Sequence, residues 1–176
     1  RLLYSYMWTH PGKQLLFMGS DFGQWNEWGC DRNLQWDLLQ WESHRGLQSC
    51  VADLNRIACE NPALYEVDFS PEGFEWIDCN DYDSSTLAYL RRAKDPEDFL
   101  VVCCNFTPMV RSGYRIGVPA AGWYEEIFNS DSTYYAGSDV GNGPGVKAIA
   151  ESTHGRKYTL EVTLPPLGVT IFKPSR

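Results

Sequence analysis

The residues most able to do chemistry crowd one stretch of the chain. Asp21, Glu27, Asp31 and Asp37 alternate there with Trp25, Trp28, Trp36 and Trp41. Carboxylates beside flat aromatic rings suit carbohydrate, because a ring stacks on the C–H face of a sugar while polar groups take its hydroxyls. Cutting a glycosidic bond asks for more. It needs two carboxylates about 5–5.5 Å apart for retention of configuration, or farther apart for inversion. Four acids in one loop do not make such a pair, and most of them read as solvated or paired with Arg32. Asp21 follows an apolar run directly, so it is either a substrate-facing carboxylate at the end of a strand or an Asp that closes the loop. Trp36 and Trp41 read as packing beneath the loop. Trp25 and Trp28, flanked by polar residues, read as facing sugar.

Other chemistries find little support. His10, His44 and His154 have no Ser or Cys beside them in a triad-like setting. His44 is expected in the first turn of a helix and His154 in a turn. The six cysteines, at 30, 50, 59, 79, 103 and 104, form no CxxC and no Cys/His group with zinc spacing, so no zinc site is expected from them. Cys103 and Cys104 adjoin in a strand-like run and should point to opposite faces. Buried free thiols and a reducing, cytoplasmic setting follow. Gly137, Gly141, Gly143 and Gly145 lie between strands with no Lys-Ser/Thr after them, which argues for an exposed or docking loop over a phosphate cradle. With 15 Lys and Arg against 23 Asp and Glu, the net charge of −8 argues against nucleic acid and anionic membrane as main partners. No apolar run approaches the roughly 20 residues of a spanning helix.

Two kinds of element must position these residues. Residues 1–10 are apolar at helical spacing and Pro11-Gly12 stops them. Gln14 to Met18 is a short apolar run that reads as a strand buried on both faces, as in a parallel sheet. Leu47, Val51, Leu54 and Ile57 recur in steps of three and four, predicting an amphipathic helix over about 43–60 that ends at Asn61-Pro62. This is α/β grammar. After about residue 70 it gives way to short strands separated by turns: 74–77, 86–92, 99–106, 114–118, 123–129, 158–164 and 169–173. That spacing predicts a sandwich or barrel. Residues 130–157 interrupt it as one long loop, either functional or docked on a neighbour. Two parts follow, 1–71 and 72–176. Arg1 lies inside an apolar segment with neither an initiator Met nor a signal peptide, so the 176 residues read as a piece of a longer protein.

The motifs add a resemblance. Gly12-Lys13-Gln14-Leu15-Leu16-Phe17-Met18-Gly19-Ser20-Asp21-Phe22-Gly23-Gln24, then Glu27-Trp28 and Asp31-Arg32-Asn33-Leu34-Gln35-Trp36, resemble the last barrel strand and loop of bacterial glycogen branching enzymes of the α-amylase family. Gly46-Leu47-Gln48, Asp53-Leu54-Asn55 and Pro62-Ala63-Leu64 resemble that family's next helix, and Asp68 to Ile77 its inter-domain segment. Asn105-Phe106-Thr107-Pro108, Asn129-Ser130-Asp131-Ser132 and Leu164-Pro165-Pro166-Leu167 resemble its C-terminal domain. The resemblance implies a mainly β fold: an antiparallel β-sandwich over 72–176, preceded in 1–71 by the last strand and helix of a (β/α)₈ barrel. It implies a parent that cuts an α-1,4-glucan such as amylose, holds the piece on an Asp and passes it to a 6-hydroxyl, making the α-1,6 branches of glycogen without metal or cofactor. The three catalytic carboxylates would come from earlier barrel strands, so no catalytic residue is assigned here and the fragment alone is expected to be inactive. The expected substrate-binding set is Asp21, Trp25, Trp28, Asp31 and Arg32. The family usually has Glu at the position of Asp21, which gives this chain a shorter reach. Without its barrel neighbours, strand 14–18 should expose Leu15, Leu16 and Phe17, and residues 1–41 should fold back on the sandwich or pair with a second copy. The alternatives are an independent carbohydrate-binding module and a piece of a related amylase-family hydrolase.

Overall fold

Phe99–Asn105 is apolar as far as Cys104 and every residue in it is buried. A strand of that kind needs cover on both faces, and this one has it. In the computed structural model, which describes residues 1–175, it is β3, a central strand of a six-stranded sheet. The other strands are β1 (Phe74–Asp78), β2 (Thr86–Arg92), β4 (Arg111–Val118), β5 (Trp123–Asn129), β6 (Gly145–Lys147), β7 (Tyr158–Leu164) and β8 (Gly168–Pro174). The large sheet runs β1-β2-β3-β8-β5-β6, and β4 and β7 form a second, two-stranded sheet. All pairings are antiparallel. The antiparallel all-β architecture expected after residue 72 is therefore what the chain forms.

Strand alternation divides the large sheet's side chains between two cores. Phe99, Val101 and Cys103 meet Ile116 and Val118 of β4 and Leu160 and Val162 of β7, filling the space between the two sheets. Leu100, Val102 and Cys104 point the other way and meet Cys50, Val51, Leu54 and Ile57. The neighbouring cysteines do face opposite sides. Both are buried, and burial pushes the Cys104 thiol up to about 12. No cysteine is in a disulfide; Cys50, Cys103 and Cys104 are buried, whereas Cys30 and Cys59 are exposed.

The cover on that second face is helical. The helix α2 (Glu42–Glu60) lays its apolar stripe on the sheet, beside α1 (Leu2–Thr9) with the buried Trp8. One core thus joins residues from before and after position 71. A single charged side chain fixes the junction. Arg91, in the row of β2 that carries Leu87 and Tyr89, is 1% exposed. Its guanidinium donates to the carbonyls of Thr9 (2.6 Å), Leu64 (3.2 Å) and Gly73 (3.3 Å) and to the Asp68 carboxylate (2.7 Å). Asp68 also accepts the Gly12 N–H at 3.2 Å. A buried cation is tolerable only when paired and hydrogen-bonded, and this one is both.

The 130–157 loop is docked. Tyr135 stacks on Phe128 and donates from its hydroxyl to Asp53 of α2 at 2.7 Å. Gly46 of α2 makes room for it: a Cβ there would lie 2.5 Å from the Tyr135 carbonyl carbon. Asp131, buried in the loop, gathers the N–H groups of Ser138 and Val140 and the Ser138 hydroxyl. The short strand β6 within this loop escapes the sequence reading, because three residues opening on Gly145 carry no periodicity.

Residues 14–18 differ from expectation. They form an irregular segment, not a buried strand, with Leu15 78% exposed and Phe17 and Met18 about half exposed. A strand is held by hydrogen-bonded neighbours, and no other strand lies beside this one among the described residues. Leu16 alone turns inward, onto the helical core.

Candidate functional site

The loop between residue 19 and α2 is built on backbone that favours glycine. Gly19 and Gly23, at φ of 83° and 69°, bracket a single 3₁₀ turn over Ser20–Phe22. That turn buries Phe22 completely. Two glutamines then brace the loop. The Gln35 N–H donates to Gln24 Oε1 at 2.9 Å, and the Asn26 N–H donates to Gln35 Oε1 at 2.8 Å. These bonds hold residues 24–28 as a raised rim beside the irregular segment 14–18.

Between rim and segment lies an open cleft of about 210 Å³, lined by Phe17, Met18, Trp25, Asn26, Glu27 and Trp28 among others. Trp25 is 72% exposed and Trp28 is 43% exposed. Each ring is propped edge-on by a second ring. Phe17 meets Trp28 at 5.2 Å and 87°, and His44 meets Trp25 at 5.4 Å and 69°. Two aromatic faces, the Glu27 carboxylate and the Asn26 and Gln24 amides therefore share one concave surface. That set can stack on a sugar ring and bond its hydroxyls.

The other expected residues do not join it. Asp21 sits within the 3₁₀ turn, partly buried, and makes no hydrogen bond or ion pair to a described residue. Asp31 and Arg32 lie at the outer tip of the loop and pair with each other at 3.8 Å, both well exposed. Neither lines the cleft. Trp36 and Trp41, expected beneath the loop, are each more than half exposed. Trp36 lies against buried Phe22, with ring centroids 5.1 Å apart. Phe17 and Glu27 complete the cleft, and buried His44 stands against the Trp25 ring outside its lining. Phe17 was hidden by its reading as a strand interior, and His44 by its ordinary helical context.

Comparison with known proteins places this geometry. Residues 76–175 match the family model described as the α-amylase C-terminal all-β domain. The chain belongs to that family. The α-amylase C-terminal domain accounts for both sheets, from within β1 to the end of β8. Relatives extend beyond it. The chain is 54% identical over 173 residues to the 1,4-alpha-glucan branching enzyme GlgB of Rhodopirellula baltica, covering 98% of this chain and 24% of that protein. It is 50% identical to the enzyme of the same name from Aquifex aeolicus, at 98% and 28% coverage. A third, from Thermosynechococcus vestitus, is 50% identical over all 176 residues and 23% of its own length. The chain thus spans about a quarter of these relatives. Among solved structures, an α-amylase from H. orenii superposes with a TM-score of 0.59 at 17% identity, over 99% of this chain and 35% of that one, a likeness of fold.

Proposed function

We propose that this chain is the C-terminal portion of a 1,4-α-glucan branching enzyme, and that residues 1–71 are the end of its catalytic barrel. The observation that carries this is the roughly 50% identity to relatives of that name over 173 or more residues, a span that takes in the helices, the aromatic loop and the sandwich. The whole enzyme would act by a retaining transfer. A carboxylate nucleophile displaces the α-1,4 linkage, and the glucan piece then passes to a 6-hydroxyl while the acid switches to base. The chain itself supplies no assigned catalytic group. It covers one side of the barrel and presents the Trp25–Trp28 cleft to the donor or acceptor glucan. Segment 13–18, apolar and exposed, is the surface that the rest of the barrel would cover. A cytoplasmic location agrees with the buried free thiols.

The shared core disfavours an independent binding module, because the helical layer covers a sheet face that would otherwise be bare. Replacing Trp28 by Ala in the full-length enzyme tests the cleft. Losing one stacking face should weaken binding of soluble glucan roughly tenfold, on the order of 1 kcal/mol, with slower branching of amylose. Unchanged affinity and branching rate would remove the cleft from the account.

A further inference from the structure

His44 ties the aromatic rim to the body of the molecule through two different contacts. It stands in the first turn of α2, whose stripe is locked onto the large sheet, and is 8% exposed. Its Nδ1 lies 2.7 Å from the Phe22 carbonyl oxygen, inside the buried base of the loop. A carbonyl only accepts, so Nδ1 carries the proton and donates. The same imidazole meets the Trp25 indole edge-on. Gly23 lies between the two contacts, and a Cβ there would lie 3.1 Å from Leu47 of α2, so the loop backbone passes against the helix with little slack.

Trp25 has few other constraints. It is largely exposed, and no hydrogen bond from its indole is present among the described residues. An exposed indole on a loop would sample several rotamers, and a ligand would have to freeze one of them on binding. The imidazole limits that freedom from one side, and its bond to Phe22 fixes the turn from which Trp25 projects. The matching prop on Trp28 is Phe17, itself half exposed on an irregular segment. Only the Trp25 wall is therefore referred to a rigid element.

We propose that His44 is the positioning residue of the cleft: it sets the orientation of Trp25 through its bond to the Phe22 carbonyl and its edge contact with the indole. The ligand class, an α-glucan chain, rests on the function proposed above; the positioning does not, and the two are tested apart. The test uses this chain labelled with ¹⁵N, whose seven tryptophans give seven indole N–H signals. Trp25→Phe assigns the Trp25 signal, and Trp123→Phe assigns a reference in the sandwich. In His44→Ala, the Trp25 signal should move and broaden while that of Trp123 stays in place. His44→Phe, which keeps a ring but cannot donate, should restore part of the shift, and it serves also if the alanine variant fails to fold. Titration with maltoheptaose should show affinity about three- to tenfold weaker in His44→Ala, the range expected for freeing one side chain. His44→Ala added to Trp25→Phe should weaken binding no further.

An unmoved Trp25 signal would overturn the proposal. So would Trp25 and Trp123 shifting together in both variants, because that is the mark of a residue that only stabilises the fold. If the native chain ignores maltoheptaose while the Trp25 signal still depends on His44, the positioning stands and the glucan reading falls.

Discussion

At the scale of single residues, the least legible feature proved the most consequential. Arg91 stands next to last in an ordinary strand, and nothing in Leu87-Ala88-Tyr89-Leu90-Arg91 marks it as the buried hub of four acceptors. Three of the four are backbone carbonyls and none of the four adjoins Arg91 in sequence, so no local pattern encodes them. Trp25 and Trp28 were legible for the opposite reason, because polar flanks reported their exposure, whereas Trp36 and Trp41, equally flanked by polar residues, were misread as buried. The acids were only half legible. Type and proximity in sequence suggested a set, but Asp21 is held within the turn that buries Phe22 while Asp31 and Arg32 pair with each other, and none of the three lines the cleft. Replacing Arg91 by Ala leaves Asp68 buried without its partner. We expect a loss of about 3–5 kcal/mol in urea unfolding. Replacing both partners by apolar residues of similar volume should cost much less. A loss below about 1 kcal/mol in Arg91→Ala would mean that the junction is held by apolar contact alone.

At the scale of elements, strands that carry their own cover were readable and the one that borrows it was not. β3 and β8 are apolar because both faces are packed, and α2 shows its stripe because one face is. Gln14 to Met18 is a largely apolar run like β3 but has no hydrogen-bonded strand neighbour among the described residues, so it forms an irregular, mostly exposed segment. The long loop is explained by what it rests on. Tyr135 and Ala136 pack so closely on α2 that Gly46 has no room for a side chain. In an exposed helix interior Gly→Ala gains about 1 kcal/mol. Gly46→Ala should instead be destabilising, because displacing packed backbone costs about 1–3 kcal/mol. Urea denaturation decides the sign, and a stabilised variant would mean that the loop is free to lift away.

At the scale of the whole molecule, the sequence divides near residue 71 while the packing does not. The change from helical to strand periodicity is real, yet Trp8, Val51, Leu54, Tyr89, Leu100 and Ile171 belong to one core. Periodicity records which element a residue is in, and it is silent on which elements pack together. Residues 72–176 made alone should therefore expose the face of β2, β3 and β8, bind a hydrophobic dye and self-associate. A monomer that unfolds cooperatively near the midpoint of the whole chain would show that the helical layer is dispensable.

The same unity gives the function its form. On the function proposed above, the sandwich is fastened to what would be the last helices of a barrel, and the aromatic cleft on the joined part would hold the polymer. The most direct measurement is the formation of α-1,6 linkages on amylose, assayed side by side for the full-length parent protein and for this 176-residue chain. The account predicts new branches from the parent and none from the chain. Branch formation by the chain alone, or a parent that only hydrolyses amylose, would contradict it.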